Sequence, residues 1–198
     1  MSSPDLGDSD EVTESAETTT VREAVRAVRE GDGEAFGSLL ELYQRRLFGL
    51  TLMMVREPEG AEEVTQDAFV RSFTHLHLYD ENRPFYPWLA TIAVRLAQNW
   101  LVRHSRERSR GDGLVDPEQE PASTTDPIDK LIADERDRRL WRSVAALPSG
   151  ERTAVVLYYR EAMKVSDVAR ALGVTGGTVK TLLFRARQKL RGHQEKPK

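Results

Sequence analysis

Apolar residues along this chain recur at helical spacing, and no stretch alternates convincingly enough to read as a strand. From residue 21 the pattern turns helical, and Leu39, Leu40, Tyr43, Leu47 and Leu50 follow one another mostly at steps of three and four, the period of one buried helix face. The run breaks at Glu57-Pro58-Glu59-Gly60. The spacing then predicts a second helix over residues 59–73, with Val64, Ala68 and Phe69 inward. Tyr79-Asp80-Glu81-Asn82-Arg83-Pro84 reads as a loop. Pro87 suits the first turn of a long third helix ending near residue 108, because Pro lacks an N–H that this turn leaves unpaired anyway. Leu89, Ala93, Leu96 and Trp100 form its apolar stripe. A second helical unit starts near residue 128. Leu147-Pro148-Ser149 interrupts it, and three shorter helices follow. The tract from Ala154 to Tyr159 is β-prone by composition, but its helical flanks fit a buried helix better than a strand.

The expected architecture is therefore all-α: an N-terminal helical bundle over residues 21–108 and a C-terminal helix-turn-helix domain over 128–192, joined by a flexible acidic linker. Residues 109–127 hold Gly111, Gly113, Pro117, Pro121 and Pro127, a linker composition. Residues 1–20 are rich in Ser, Thr, Asp and Glu, with too little apolar surface to offset chain entropy, and are expected to be disordered. Residues 193–198 are a tail.

Composition narrows the class. The 198 residues include no cysteine, which removes disulfides and thiolate metal sites. No apolar run approaches the ~20 residues that span a bilayer, and the acidic N-terminus lacks the apolar segment of a signal peptide. The expectation is a cytoplasmic protein with no membrane insertion. The formal net charge of −3 hides strong asymmetry. Residues 1–20 and 111–129 each carry −6, whereas 95–110 carry +4 and 151–191 carry +6. Two basic structured segments beside two acidic ones suggest two sites for a polyanion.

The sharpest of these sites lies near the C-terminus. Residues 165–174 give a short helix and a tight turn, with Gly173 where a helix end needs a left-handed residue. Thr175 is placed to cap the next helix. On that helix Val179, Leu183, Ala186 and Leu190 fall at steps of four, three and four, one inward stripe. The opposite face presents Gly177, Thr178, Lys180, Thr181, Phe184, Arg185 and Gln188. Such a face suits a major groove: Arg and Lys hold phosphates or guanine edges, Thr and Gln reach base edges, and an aromatic touches a thymine methyl. Phe184 is telling, since it lies outside an apolar stripe that is already filled.

These residues resemble a known family. The segment 147–187, with Gly177-Thr178-Val179-Lys180, is similar to the fourth-region domain of sigma factors. Ala61-Glu62-Glu63-Val64-Thr65-Gln66-Asp67-Ala68-Phe69 resembles the second-region motif of the same family, and so does Phe85-Tyr86-Pro87-Trp88-Leu89-Ala90-Thr91-Ile92-Ala93. No third-region domain fits between them, the pattern of the extracytoplasmic-function (ECF) group of sigma-70 factors. The resemblance implies a factor that binds core RNA polymerase at the β′ clamp and β flap, reads the −35 element of promoter DNA, melts the −10 element, and is held inactive by an anti-sigma protein. It implies no cofactor and no catalysis. It assigns Glu62, Glu63, Gln66 and Asp67 to the clamp. It gives the third helix the promoter-opening role, where Arg95, Asn99, Arg103 and Arg106 fall at steps of four, four and three. The loop before that helix resembles one that captures a flipped base, an extrusion costing about a few kcal/mol. Phe85 and Tyr86 suit stacking there or the core equally.

The chain departs from the family at two positions: Arg95 stands where Asn is common, and Leu182 where a basic residue follows the Lys-Thr pair. Both leave the exact promoter sequence open. Among rival classes, a catalytic site lacks support: the four histidines are scattered, with only His75 and His77 close together, and no phosphate-binding glycine loop or nucleophile motif is present. A helix-turn-helix regulator that is no polymerase subunit shares the DNA-reading face, but it has no need of a clamp-like helix.

Overall fold

A computed structural model describes the backbone of residues 8–111 and 135–194 and the side chains of 17–106 and 139–191. Among the described residues there are eight α-helices and no strand. Helix α1 spans Asp8–Arg29. The expectation of disorder over residues 1–20 therefore fails from Asp8 on. Val21, Ala24 and Val25 pack into the core, and Glu17 accepts a hydrogen bond from the Tyr43 hydroxyl at 2.7 Å, so the helix is anchored at its C-terminal half. The chain turns at Gly31, whose φ of +107° favours glycine. Asp32 caps a short 3₁₀ turn, Gly33–Ala35, by accepting from the backbone N–H groups of Glu34 and Ala35.

Helix α2 (Phe36–Val55) ends on Arg56 in the left-handed region. Helix α3 (Pro58–Thr74) opens with proline in its first turn. A 3₁₀ turn, Leu76–Leu78, leads through the loop to α4 (Phe85–Gly111). Helices α2, α3 and α4 pack on one another, with Leu39, Leu47, Leu50 and Met54 facing Val64, Ala68, Leu89 and Ala93 in a common core. A buried hydroxyl pair ties α2 to α3: the Thr65 hydroxyl donates to the Ala61 carbonyl at 2.6 Å and accepts from the Thr51 hydroxyl 2.8 Å away. Gly60 lets Trp100 of α4 lie directly against α3.

The C-terminal half holds α5 (Glu135–Ala145), α6 (Ser149–Val155), a π-helical turn (Val156–Arg160), α7 (Val165–Leu172) and α8 (Gly176–Gln194). The β-prone tract is helical as expected, but it is buried only from Ala154 to Leu157. Tyr158 and Tyr159 emerge at the surface, where the wider π turn and a left-handed Ala162 redirect the chain. Most of the expected linker, and residues 128–134 of the expected second domain, lie outside the described residues; residues 109–111 continue α4. The two halves are in contact: α7 packs on α4, and α6 on α2. Among the described residues no helix is long and apolar enough to cross a membrane.

Candidate nucleic-acid and polymerase interfaces

The turn before α8 is built as its sequence dictates. Gly173 closes α7 at φ 68°, ψ 32°, and the Thr175 hydroxyl accepts from the Thr178 backbone N–H at 3.2 Å. Val179, Leu183 and Ala186 are buried and Leu190 half-buried. That anchorage fixes the rotation of α8, so Gly177, Thr178, Lys180, Thr181, Phe184, Arg185 and Gln188 are all exposed. Phe184 is 57% exposed, an apolar ring in water on a basic face. Leu182 is half-buried and packs against the core. Lys189 is turned from this face by its ion pair with the buried Glu151 at 3.0 Å.

In the N-terminal half the side chains of Arg95, Asn99, Arg103 and Arg106 are all exposed along α4. Glu62, Glu63, Gln66 and Asp67 are likewise exposed on α3, opposite the buried Val64, Thr65, Ala68 and Phe69. The two faces join at one residue. Glu63 accepts from the Trp100 indole N–H at 3.0 Å and from Arg103 at 2.7 Å. These bonds, the Trp100 one first, hold its carboxyl below the usual range. Val70 at 66% and Phe73 at 44% exposure extend the α3 face with apolar surface.

Phe85 and Tyr86, which the sequence left equally suited to a base or to the core, are core residues in the free chain. Neither presents a ring to a base: both lie in the core, 2% and 3% exposed. Phe85 stacks on Tyr43 with centroids 5.6 Å apart and meets Tyr79 and Trp88 edge-on or tilted. A cluster of five aromatics at the foot of α4 buries more apolar area than two rings left in a loop. The loop itself is pinned from α1. Arg29 donates to the carbonyls of Leu76 at 3.0 Å and Tyr79 at 2.6 Å and pairs with Glu81. Asp80 accepts from the backbone and side-chain nitrogens of Asn82, and the Tyr79 hydroxyl donates to the Arg83 carbonyl. His75 and His77 stack with their centroids 6.2 Å apart near the end of α3.

Sequence reading also missed a site between the halves. Glu161, 3% exposed, accepts through Oε2 from Arg46 Nε at 2.9 Å and from the Tyr86 hydroxyl at 2.8 Å. Its Oε1 accepts from Arg160 at 2.6 Å, and its backbone carbonyl from Arg46 Nη2 at 3.0 Å. The Arg46 guanidinium lies 3.7 Å from the centre of the Tyr86 ring. Burial, and then the Glu161 charge, raise the Tyr86 phenol above its ordinary range. Nearby, Arg152 donates to the Met54 carbonyl in the last turn of α2. No local signal reveals this set, because its partners are far apart in sequence. The one hint was an acid inside an otherwise apolar and basic tract.

Two family models match separate stretches of the chain. The family model for Sigma-70 region 2 matches residues 39–107, and that for Sigma-70 region 4 matches 137–190. The ECF RNA polymerase sigma factor SigW of Bacillus subtilis is 27% identical, over 86% of this chain and 95% of its own length. The ECF RNA polymerase sigma-E factor of Escherichia coli K12 is 28% identical, over 87% and 93%. Among solved structures the fold is similar to CnrH in complex with the cytosolic domain of CnrY, with a TM-score of 0.63 and 22% identity, covering 89% of this chain and 97% of that one. It is also similar to the sigma factor RpoE in complex with the anti-sigma factor NepR from Bartonella quintana, with a TM-score of 0.64 and 21% identity, over 82% and 98%. With both regions in order, over helices that expose the matching faces, the chain belongs to the ECF group of the sigma-70 family of RNA polymerase sigma factors.

Proposed function

We propose that this sigma factor grips the β′ clamp of core polymerase through Glu62, Glu63, Gln66 and Asp67 of α3, with the C-terminal half meeting the β flap. In this reading α8 enters the major groove of the −35 element, with Lys180 and Arg185 on phosphates or guanine edges. Thr181 and Gln188 reach base edges, Phe184 meets a thymine methyl, and the N-terminal residues Gly177 and Thr178 approach the backbone. The basic stripe Arg95, Asn99, Arg103 and Arg106 follows the strand opened at the −10 element. Phe85 and Tyr86 anchor the foot of α4 and the capture loop rather than stacking on a base. The factor works in the cytoplasm, has no catalytic role of its own, and is restrained by an anti-sigma protein, as its family membership implies.

The observation that carries this reading is that one chain exposes both surfaces: the α8 face behind its glycine turn, and the α3 and α4 faces joined at Glu63. The test is in vitro transcription with purified core polymerase and a promoter library. Initiation restricted to templates that share a −35 and a −10 element supports the reading. Duplex binding without core, together with no promoter-dependent transcript, would replace it with a helix-turn-helix regulator. Glu63→Lys or Asp67→Lys is expected to weaken core binding while helical content is kept; normal core affinity would remove α3 from the clamp assignment.

A further inference from the structure

The loop between α3 and α4 is held from a third helix. Arg29 stands in the last turn of α1, 47 residues before Leu76 and 50 before Tyr79. Its Nη2 donates to the carbonyls of both, at 3.0 and 2.6 Å, and its Nη1 pairs with Glu81. One guanidinium therefore grips the loop at its start, its middle and its turn. We infer that Arg29 is a positioning residue for promoter opening: it sets the path of residues 76–84 before DNA arrives, so that a base leaving the −10 duplex meets a loop already in place. The role in opening rests on the capture function proposed above for this loop; the anchoring itself does not.

Both ends of this brace are rigid. On α1, Val21, Ala24 and Val25 are buried and Val28 packs against the core, which fixes the rotation of the helix and the direction of Arg29. The cation also lies at the negative end of the α1 dipole. On the loop side, the Tyr79 ring meets Phe85 and Trp88 with centroids 5.1 and 5.3 Å apart. The Arg83 N–H donates to the Asp80 carbonyl at 3.0 Å and closes the turn. Lysine does not supply such a grip. Its ammonium is one compact charge, whereas the planar arginine fork donates in several fixed directions at once.

Energetics point to function rather than to folding. The Arg29 and Glu81 side chains are 32% and 42% exposed, and an ion pair so screened by solvent adds little stability. Helices α3 and α4 already pack on each other through Gly60, Trp100 and the common core. Residues 80–84 are exposed, so the core does not depend on their exact path. A ligand does. Extruding a base is unfavourable until the base is bound, and a loop that orders only on capture adds its own entropy loss to that step. A loop ordered beforehand leaves the extrusion alone to be offset.

The test uses holoenzyme rebuilt from purified core polymerase and the full-length factor, with single-stranded oligonucleotides of the −10 element that the promoter library selects. A series carries one abasic site at each position in turn. Wild type should lose affinity most at one position, that of the captured base. Arg29→Ala should bind the intact oligonucleotide about tenfold more weakly, the scale of ordering one further residue on binding. On the oligonucleotide abasic at the captured position it should equal wild type, because the two changes act through one contact. Core affinity and the salt slope of oligonucleotide binding should stay unchanged, the first showing that the N-terminal half is folded. Arg29→Lys should behave as Arg29→Ala, since it keeps the charge but not the fork. Glu81→Gln, which leaves α1 untouched, should show a smaller loss with the same cancellation. A loss that persists at full size on the abasic oligonucleotide, or a salt slope reduced by about one, would overturn positioning and make Arg29 a phosphate contact. Full binding by Arg29→Ala, or rescue by Arg29→Lys, would overturn it as well. If no abasic position weakened wild type, the capture function itself would fall, so that failure and the failure of Arg29 as its positioning residue are read separately.

Discussion

At Gly60, in the first turn of α3, an added Cβ would lie 2.3 Å from an indole carbon of Trp100. Replacing a helical glycine with alanine ordinarily gains about 1 kcal/mol. Here overpacking against a rigid ring wins, at about 1–3 kcal/mol. Gly60→Ala is expected to lower the thermal midpoint, and an unchanged or raised midpoint would show that α3 and α4 can move apart at no cost. On α8 the opposite holds. Phe184→Ala and Arg185→Ala change exposed side chains and should leave stability within about 0.5 kcal/mol. Both should weaken binding of the holoenzyme to −35 duplex, and Arg185→Ala should also reduce the salt slope by about one if it holds a phosphate. Unchanged affinity would remove either residue from the reading face. Arg29 is a residue whose role shows only in the folded chain. Its charge-assisted bonds to Leu76 and Tyr79, together with its pairing to Glu81, fix the loop before α4. In Arg29→Ala, amide exchange should rise across residues 76–83 and stay unchanged in α8. Protection equal to wild type would show that Asp80 and Tyr79 hold the loop unaided.

Among the elements, α8 was the most legible. Its stripe of Val179, Leu183, Ala186 and Leu190, its glycine turn and its Thr175 cap are all local signals, and local signals survive without the rest of the fold. Helix α3 was legible for the same reason. What sequence could not resolve was how faces pair. Phe85 and Tyr86 carried no mark of which way they point, because an aromatic that suits a base also suits a core; the neighbouring rings of Tyr43, Tyr79 and Trp88 decide it. Helix α1 was under-read: its acidic composition argued for disorder, but Val21 and Val25 dock on the bundle and Glu17 caps Tyr43. Between α3 and α4, Glu63 links the α3 face proposed for the clamp to the basic stripe. Its folded carboxyl lies below the usual range, so its contribution is complete above the ordinary carboxylate range and is lost as pH falls through the lowered value. Because Glu63 is well exposed, solvent keeps the effect small. The Trp100 indole N–H resonance should therefore move with a midpoint below that of an unperturbed glutamate, and Glu63→Gln should abolish the transition. A midpoint at or above the ordinary value would mean that the Trp100 and Arg103 bonds are not formed in solution.

At the scale of the whole molecule, sequence divides the chain correctly into two helical units but says nothing of their contact. The reason is physical: an interface such as Glu161 with Arg46 and Tyr86 has no period and no spacing, only complementary groups brought together by folding. The factor therefore combines surfaces readable in sequence with a closure visible only in three dimensions. The surfaces state the central claim, that this protein gives core polymerase its promoter. The most direct measurement is transcription by core enzyme with and without the full-length factor on a randomised promoter library, with the transcripts sequenced. Starts should appear only with the factor and should share one −35 and one −10 element. Lys180→Ala with Arg185→Ala should relax the −35 requirement, while Arg95→Ala alters the −10 element. Transcripts whose start sites do not depend on the factor, or that share no upstream elements, would contradict the account.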